Sequence, residues 1–282
     1  MERPNYSLLL LCDVLKVSRA GYYKWLENKD LMTPTQARRQ ALLERVMEIF
    51  EESNETYGSP RIYRQLRKEG FTCSERTVEE LMRKHEITPK RKRKFVATTD
   101  SKHSLPIAPN VLDRQFEVNH MDEVWVSDIT YIDTNQGWLY LCVFIDLYSR
   151  MVVGWSMSDR ITAELVVSAF EMGVDNQGDA PIVAHSDRGS QYASDSFTTL
   201  LNDYGCIQSM SRKGNCWDNA VAESFFGTIK SERIYRDHYE TRIHASMAVF
   251  EYIEIFYNKR RLHSVLDYLT PWEKGQKGRE VA

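Results

Sequence analysis

After Asn119 three runs rich in β-branched and aromatic residues follow one another with only short polar breaks, and no other feature of the chain restricts its fold as much. They are E-V-W-V-S-D-I-T-Y-I-D, W-L-Y-L-C-V-F-I-D and M-V-V-G-W-S-M-S, the first two joined through N-Q-G. Residues of this kind suit a pleated, half-buried surface, and a tight polar turn makes antiparallel neighbours, so three adjacent strands are expected. The period then changes. Thr162 caps a helix to about Val174 with Glu164 and Glu171 outside it, and P-I-V-A-H-S-D follows as a short buried strand. Further helices are expected over Ser194 to Tyr204, Asp218 to about Arg233 and Arg242 to Tyr257.

Three strands, a helix, a strand and then helices is the element order of an RNase H-like α/β layer. The residues ahead of it read as helical. Between Thr35 and about Ser53, Ala37, Ala41, Leu42, Val46, Ile49 and Phe50 recur at helical spacing. In Y-G-S-P-R-I-Y-R-Q-L-R-K-E-G, Ser59 can cap a second helix, Pro60 suits its first position and Gly70 its end. Ser74 or Cys73 then precedes a third, with Val78, Leu81 and Met82 on one face. Short helices joined tightly, with arginines outward, read as a helix-turn-helix, the bland alternative being a helical bundle with solvated cations. The run Lys90, Arg91, Lys92, Arg93, Lys94 leads into a Ser-, Thr- and Pro-containing stretch that reads as an extended linker positioned to contact phosphates. The expected organisation is a helical segment at 1–30, a helix-turn-helix domain at 31–95, a basic, proline-containing linker at 96–118 and a catalytic core with C-terminal helices at 119–282.

Charge is unevenly distributed. Residues 1–118 hold 22 Lys and Arg against 17 Asp and Glu, whereas the remainder holds 15 against 23, although the whole chain is only -3. A basic front and an acidic rear suit a DNA-holding segment followed by an enzyme whose carboxylates await divalent cations. Five scattered cysteines without C-x-x-C spacing disfavour both a disulfide framework and a zinc site. No basic-then-apolar leader opens the sequence and no apolar run is long enough to span a bilayer, so a cytoplasmic protein is expected.

Asp128 lies inside the first strand between Ser127 and Ile129, where an acid is costly and wants a reason. Asp187 ends the fourth strand, and Glu223 lies on a helix 35 residues further on. Adjacent strands can bring the two aspartates together, and a helix across the sheet edge can deliver Glu223. Three converging carboxylates repel one another unless cations sit among them, and oxygen donors of this kind prefer magnesium or manganese to zinc. Two such ions roughly 3.5–4 Å apart stabilise both the attacking and leaving oxygens of an in-line displacement at phosphorus. Asp128 is the natural bridge between them. Around these acids, Trp217 is expected either to stack on a base or, rather more readily, to anchor its loop. His185 and Gln191 are expected to support the acids, Asn219 to orient Glu223, bond a phosphate or act as a local cap, and Arg260, Arg261 and His263 to touch DNA or, more readily, to be solvated.

The chain resembles the second-frame transposase product of bacterial insertion sequences of the third IS family, within the retroviral-integrase superfamily. The resemblance rests on S-R-A-G-Y-Y at 18–23, T-Y-G-S-P-R-I at 56–62, W-V-S-D-I-T-Y-I at 125–132, H-S-D-R-G-S-Q-Y at 185–192, S-R-K-G-N-C-W-D-N-A at 211–220, E-S-F-F-G-T-I-K-S-E at 223–232, Y-N-K-R-R-L-H at 257–263 and T-P-W-E at 270–273. It implies an integrase core with a mixed five-stranded sheet and helices behind a small all-α domain. It implies Asp128, Asp187 and Glu223 as catalytic, metal-binding acids, with two Mg2+ or Mn2+ ions, and Lys230 as a DNA contact two helical turns after Glu223. Arg212 and Lys213 are expected to contact DNA beside the acids. The implied activity is metal-dependent cleavage at the ends of a mobile element and strand transfer. Implied partners are the terminal inverted repeats, target DNA, further copies of the chain on DNA and the upstream-frame product, since residues 1–30 show no zipper of their own; when bound, the protein would sit at the bacterial nucleoid. The front lacks the His and Cys spacing of the retroviral zinc domain, so zinc is not expected. The alternatives are an RNase H-like nuclease, disfavoured by the basic helices in front, and an inactive DNA-binding regulator, disfavoured by intact acids.

Overall fold

In the computed structural model, which describes residues 6–90 and 105–281, the chain divides into two units, Met1–Thr88 and Pro89–Ala282. Of the basic run, only Lys90 is described; Arg91, Lys92, Arg93 and Lys94 lie outside the described residues. The first unit contains α1 (Leu8–Val14), α2 (Arg19–Asn28), α3 (Pro34–Glu52), α4 (Ser59–Lys68) and α5 (Glu75–Lys84). Of the apolar positions read from the spacing, Leu42, Val46, Ile49, Val78, Leu81 and Met82 are buried, whereas Ala37 and Ala41 are exposed and Phe50 is half-buried; Ile62 and Leu66 of α4 complete the core. Thr33 and Gln36 cap α3 reciprocally, and Ser74 caps α5 by accepting from the Thr77 amide. The start of α4 differs from expectation. Gly58 occupies the N-cap, and Ser59 and Pro60 already belong to the helix, because Pro60 suits the first turn wherever the cap falls.

The second unit is built on a five-stranded sheet of order β3-β2-β1-β4-β5, comprising β1 (Val124–Ile132), β2 (Leu139–Asp146), β3 (Val152–Ser158), β4 (Val183–Ser186) and β5 (Ile207–Met210). The first three strands are antiparallel, and β4 and β5 run parallel to β1. Alternation along β1 and β2 turns Trp125, Cys142 and Phe144 to the face covered by α6 (Ala163–Gln177) and α7 (Asp195–Asp203), where Phe170 meets Trp125, Phe144 and Phe197 with ring centroids 5.4–5.9 Å apart. Leu141, Val143 and Ile145 point to the other face and are also fully buried, so the sheet is covered on both sides. Gly154 lets α6 approach closely: a side chain there would collide with the backbone of Ala169 and Gly173.

The later helices depart from the periodicity in detail. A 3₁₀ turn (Cys216–Asn219) leads into α8 (Ala220–Glu232), and α9 (Arg242–Phe250) continues as a π-helical stretch (Glu251–Tyr257) before α10 (Pro271–Val281). The Y-N-K-R-R-L-H segment explains the continuation. Asn258 pairs with both backbone groups of Val152 on edge strand β3 at 2.9 and 3.0 Å, and the Tyr257 hydroxyl donates to the Arg150 carbonyl. Arg261 and His263, expected in solvent, are 5% and 9% exposed; Arg260 is exposed. Arg261 is drawn inward because it pairs with Glu232 of α8. The stretch read as linker also differs: Met210 donates to the Pro109 carbonyl, and Leu112 is buried, so its end is part of this unit. Among the described residues no helix is long and apolar enough to cross a membrane.

Asp146 ends β2 and holds the turn after it. Its buried carboxylate accepts from the Ser149 amide and hydroxyl and from the Asp122 amide, yet burial still pushes its pKa up to about 6. The folded carboxyl therefore keeps a proton that the unfolded one has released above its ordinary value of 3.8. More protons bound in the folded state means stability falls as pH rises through that window and levels off above it. Asp146→Asn removes this slope. The stability difference between wild type and variant, from chemical unfolding at pH 4 to 7, should shrink by about 1–3 kcal/mol as pH rises; a difference independent of pH would refute the assignment.

Candidate active site

Strand pairing places the two aspartates. Val126 of β1 lies opposite His185 of β4 in parallel register, and continuing that register two residues sets Asp128 level with Asp187. Asp128 is half-buried, and its own side chain accepts from the Ile129 amide at 2.8 Å. Burial raises its pKa well above the ordinary carboxylate value, and the charges of Asp187 and, more weakly, Glu223 push it further. Asp187 turns its carboxylate onto the Gly189 amide at 2.9 Å. Glu223, in the first turn of α8, is half-buried and its pKa is raised by burial. These shifts share a cause: removing water from a carboxylate, or adding a second one beside it, disfavours the charged form.

Among the described residues no three His, Cys, Asp or Glu side chains stand close enough to form one complete metal shell. The chemistry of the donors nonetheless fits a hard cation. They are oxygen-only, of like charge and partly desolvated, and a divalent ion offsets the repulsion that raises Asp128.

Beneath the acids the side chains are buried. The Tyr192 hydroxyl, from H-S-D-R-G-S-Q-Y, lies 2.8 Å from the Ser127 hydroxyl, and Tyr192 is 1% exposed. Asn219 donates from Nδ2 to the Ser127 carbonyl at 2.8 Å, and its Oδ1 is buried with no hydrogen-bond partner. His185 is fully buried between the Ser209 and Ser211 hydroxyls, and burial pushes its pKa down to about 4, so the ring is neutral. The Gln191 side-chain oxygen lies beside Gly189, next to the Asp187 carboxylate.

The expected DNA contacts fall in different places. Lys230 is 2% exposed, with Nζ 5.0 Å from the centre of the Tyr131 ring. Burial pushes its pKa down to about 8, with Asp128 acting in the opposite direction. The helix that brings Glu223 toward β1 carries Lys230 inward on the same side, two turns later. Arg212 is held by Asp218 and Asp113, whereas Lys213 and Lys90 are exposed. Trp217, expected chiefly as a loop anchor, is 69% exposed. The anchor is its neighbour Asp218, which is fully buried. Asp218, Tyr192, Ser127, Arg114 and Ser209 do not stand out in the sequence. A lone acid beside two cations in S-R-K-G-N-C-W-D is the available signal for Asp218; the others depend on contacts between distant segments.

Comparison with known proteins agrees with this architecture. Family models described as integrase core domain match residues 118–216 and 223–275, and one described as an HTH-like domain matches residues 37–95. Transposase InsF for insertion sequence IS3A of Escherichia coli (strain K12) is 38% identical over 271 residues, 96% of this chain and 94% of that protein. The insertion element IS600 uncharacterized 31 kDa protein of Shigella sonnei is 39% identical over 273 residues, 96% of this chain and all of the relative. Among solved structures, the HTLV-2 integrase catalytic core domain in complex with magnesium is 19% identical with a TM-score of 0.43, covering 55% of this chain and 97% of that one. A simian T-cell lymphotropic virus intasome chain is 14% identical with a TM-score of 0.49, covering 82% of this chain and 74% of its own.

Proposed function

Because the chain belongs to the insertion-sequence transposases of the IS3 family, with an integrase core behind an HTH-like domain, we propose that it cuts DNA at the ends of a mobile element and joins the exposed 3′ hydroxyl to another phosphodiester. The observation that carries this reading is the parallel pairing of Val126 with His185, which puts Asp128 on β1 across from Asp187, the residue just past the end of β4, while α8 packs against β1 and carries Glu223 close enough to act on the Asp128 carboxyl. Two magnesium or manganese ions held by Asp128, Asp187 and Glu223 would activate the attacking oxygen and stabilise the leaving one. Asp128, whose carboxyl is pushed up by both other acids, would hold a cation together with them. The Tyr192 to Ser127 bond fixes the strand just before Asp128, and Asn219 ties the start of α8 to that same strand. The unspent Asn219 Oδ1 adds an acceptor there.

Sequence recognition is assigned to α4 and α5, reading the terminal inverted repeats through the major groove. Lys90, Arg91, Lys92, Arg93 and Lys94 supply phosphate contacts, as does Lys213, and exposed Trp217 offers a surface on which a base can stack. Target DNA, further copies of the chain on DNA and the upstream-frame product complete the proposed assembly, in the bacterial cytoplasm at the nucleoid.

The test uses the full chain with a duplex bearing the element's ends. Cleavage and joining are expected in Mg2+ and Mn2+. Ca2+, larger and looser in geometry, should support binding without chemistry. Full activity in chelator, or tight zinc binding by the free protein, would refute the reading. Replacing Lys90 to Lys94 by glutamines should weaken binding to all sequences alike and lower the salt slope by roughly 0.9 for every phosphate no longer neutralised; an unchanged slope would place the phosphate-binding cations elsewhere.

A further inference from the structure

The segment 211–219 immediately precedes the helix that carries Glu223, and its anchor is a carboxylate to which the proposed chemistry assigns no role. Asp218 is fully buried and accepts from the Arg212 amide, Nε and Nη2 at 2.9 Å each, from Arg114 Nε at 2.8 Å and from Asn110 Nδ2 at 3.0 Å. Arg212 above all holds its carboxyl well below the usual carboxylate range. Asn110 and Arg114 belong to the stretch of chain that enters the unit ahead of β1, so the carboxylate joins that stretch to the segment before α8.

A second set of bonds runs behind it. The Ser209 hydroxyl accepts from the Val111 and Leu112 amides at 2.9 and 3.2 Å, which leaves its own proton for His185 Nδ1 at 2.9 Å. His185 can then donate through Nε2 to Ser211 at 3.1 Å, and Ser211 donates to the carbonyl of Ser186, the neighbour of Asp187, also at 3.1 Å. Asn219, next to Asp218, holds the carbonyl of Ser127, the neighbour of Asp128. One short segment thus touches the chain beside both aspartates and begins the helix bearing Glu223.

We propose that Asp218 is the positioning residue of this site: by locking segment 211–219 to the chain entering the unit, it sets where α8 presents Glu223 to Asp128 and Asp187. The segment turns at Gly214, φ +70, a conformation open to glycine, which adds no side chain to hold it in place. A displacement of about 1 Å at a reacting group can cost 10²-fold in rate, so such a lock has a kinetic consequence. The inference rests on the reading of the three acids as the reacting centre.

The test compares the full chain with Asp218→Asn, which removes the charge and keeps the shape, and with Arg114→Gln, which removes one of the ties to the entering chain and leaves Asn110 on Asp218 and Asp113 on Arg212. Asp218→Asn should lower single-turnover cleavage in Mg2+ about 10- to 100-fold. It should raise the Mg2+ concentration for half-maximal rate severalfold and leave affinity for the end duplex in Ca2+ within about threefold. Arg114→Gln should move both quantities the same way by less, with Arg114→Lys recovering part of the rate. Amide hydrogen exchange across 211–223 should quicken in both variants. Wild-type rate and metal dependence in both, unchanged exchange, or a rate loss matched by an equal loss of end affinity would each overturn the proposal; should Asp218→Asn fail to fold, Arg114→Gln decides. If the wild-type chain does not cleave even with the upstream-frame product added, the assignment of the acids fails, while hydrogen exchange still reports whether Asp218 immobilises the segment.

Discussion

Asp128→Asn, Asp187→Asn and Glu223→Gln are each expected to lower Mg2+-dependent strand cleavage by about 10³-fold or more, equivalent to about 4 kcal/mol in the barrier, while changing affinity for an end-bearing duplex only a few-fold. Each substitution preserves volume and removes the anionic oxygen that a cation needs. Asp128 should be the most sensitive, because it is the acid most perturbed by both of the others. Neutralising it also relieves repulsion, so Asp128→Asn should fold at least as well as the wild type even as it loses activity. Cleavage is read on end-labelled duplex in Mg2+, and binding separately in Ca2+. A variant that cleaves at the normal rate removes its residue from the site, and one that loses cleavage and binding equally was holding DNA and not metal.

The largest loss of stability is expected from Arg261→Met. Arg261 forks onto Glu232 with two bonds of 2.8 Å, the Tyr252 hydroxyl donates to the same carboxylate at 2.7 Å, and both charged residues are no more than 6% exposed. Removing the guanidinium strands the Glu232 charge in a place water cannot reach, at a cost of about 3–5 kcal/mol. The double variant Glu232→Leu with Arg261→Met buries no charge and should recover most of that loss. Chemical unfolding of the single and double variants decides. A single variant within about 1 kcal/mol of wild type, or a double variant no better than the single, would show that the pair is not desolvated in solution. The pair also explains why Y-N-K-R-R-L-H is composed as it is: Tyr257 and Asn258 hold edge strand β3 while Arg261 holds the end of α8, so one short segment fastens the last helices to the layer that carries Glu223.

Much of this architecture is legible in the chain because it depends on local periodicity. The runs at 124–132, 139–146 and 152–158 are β-branched and aromatic as strands of a sheet covered on both faces are, Val46, Ile49, Val78 and Leu81 recur as helix cores must, and an acid inside β1 is costly enough to want a reason. Local pattern is therefore enough to read a helical front, a sheet-bearing rear, and the strand and helix on which Asp128 and Glu223 lie. It does not reach to which side chain meets which across distant segments, since pairing depends on the register of β1 against β4 and on how α8 lies along β1. Only the packed fold makes Lys230 turn inward over Tyr131, gives Arg261 its Glu232 while Arg260 stays in water, and buries Asp218 rather than Trp217. The physical reason is common to all three: a long cationic or aromatic side chain has no burial preference strong enough to read locally, and its place is set by whether a partner arrives to offset desolvation.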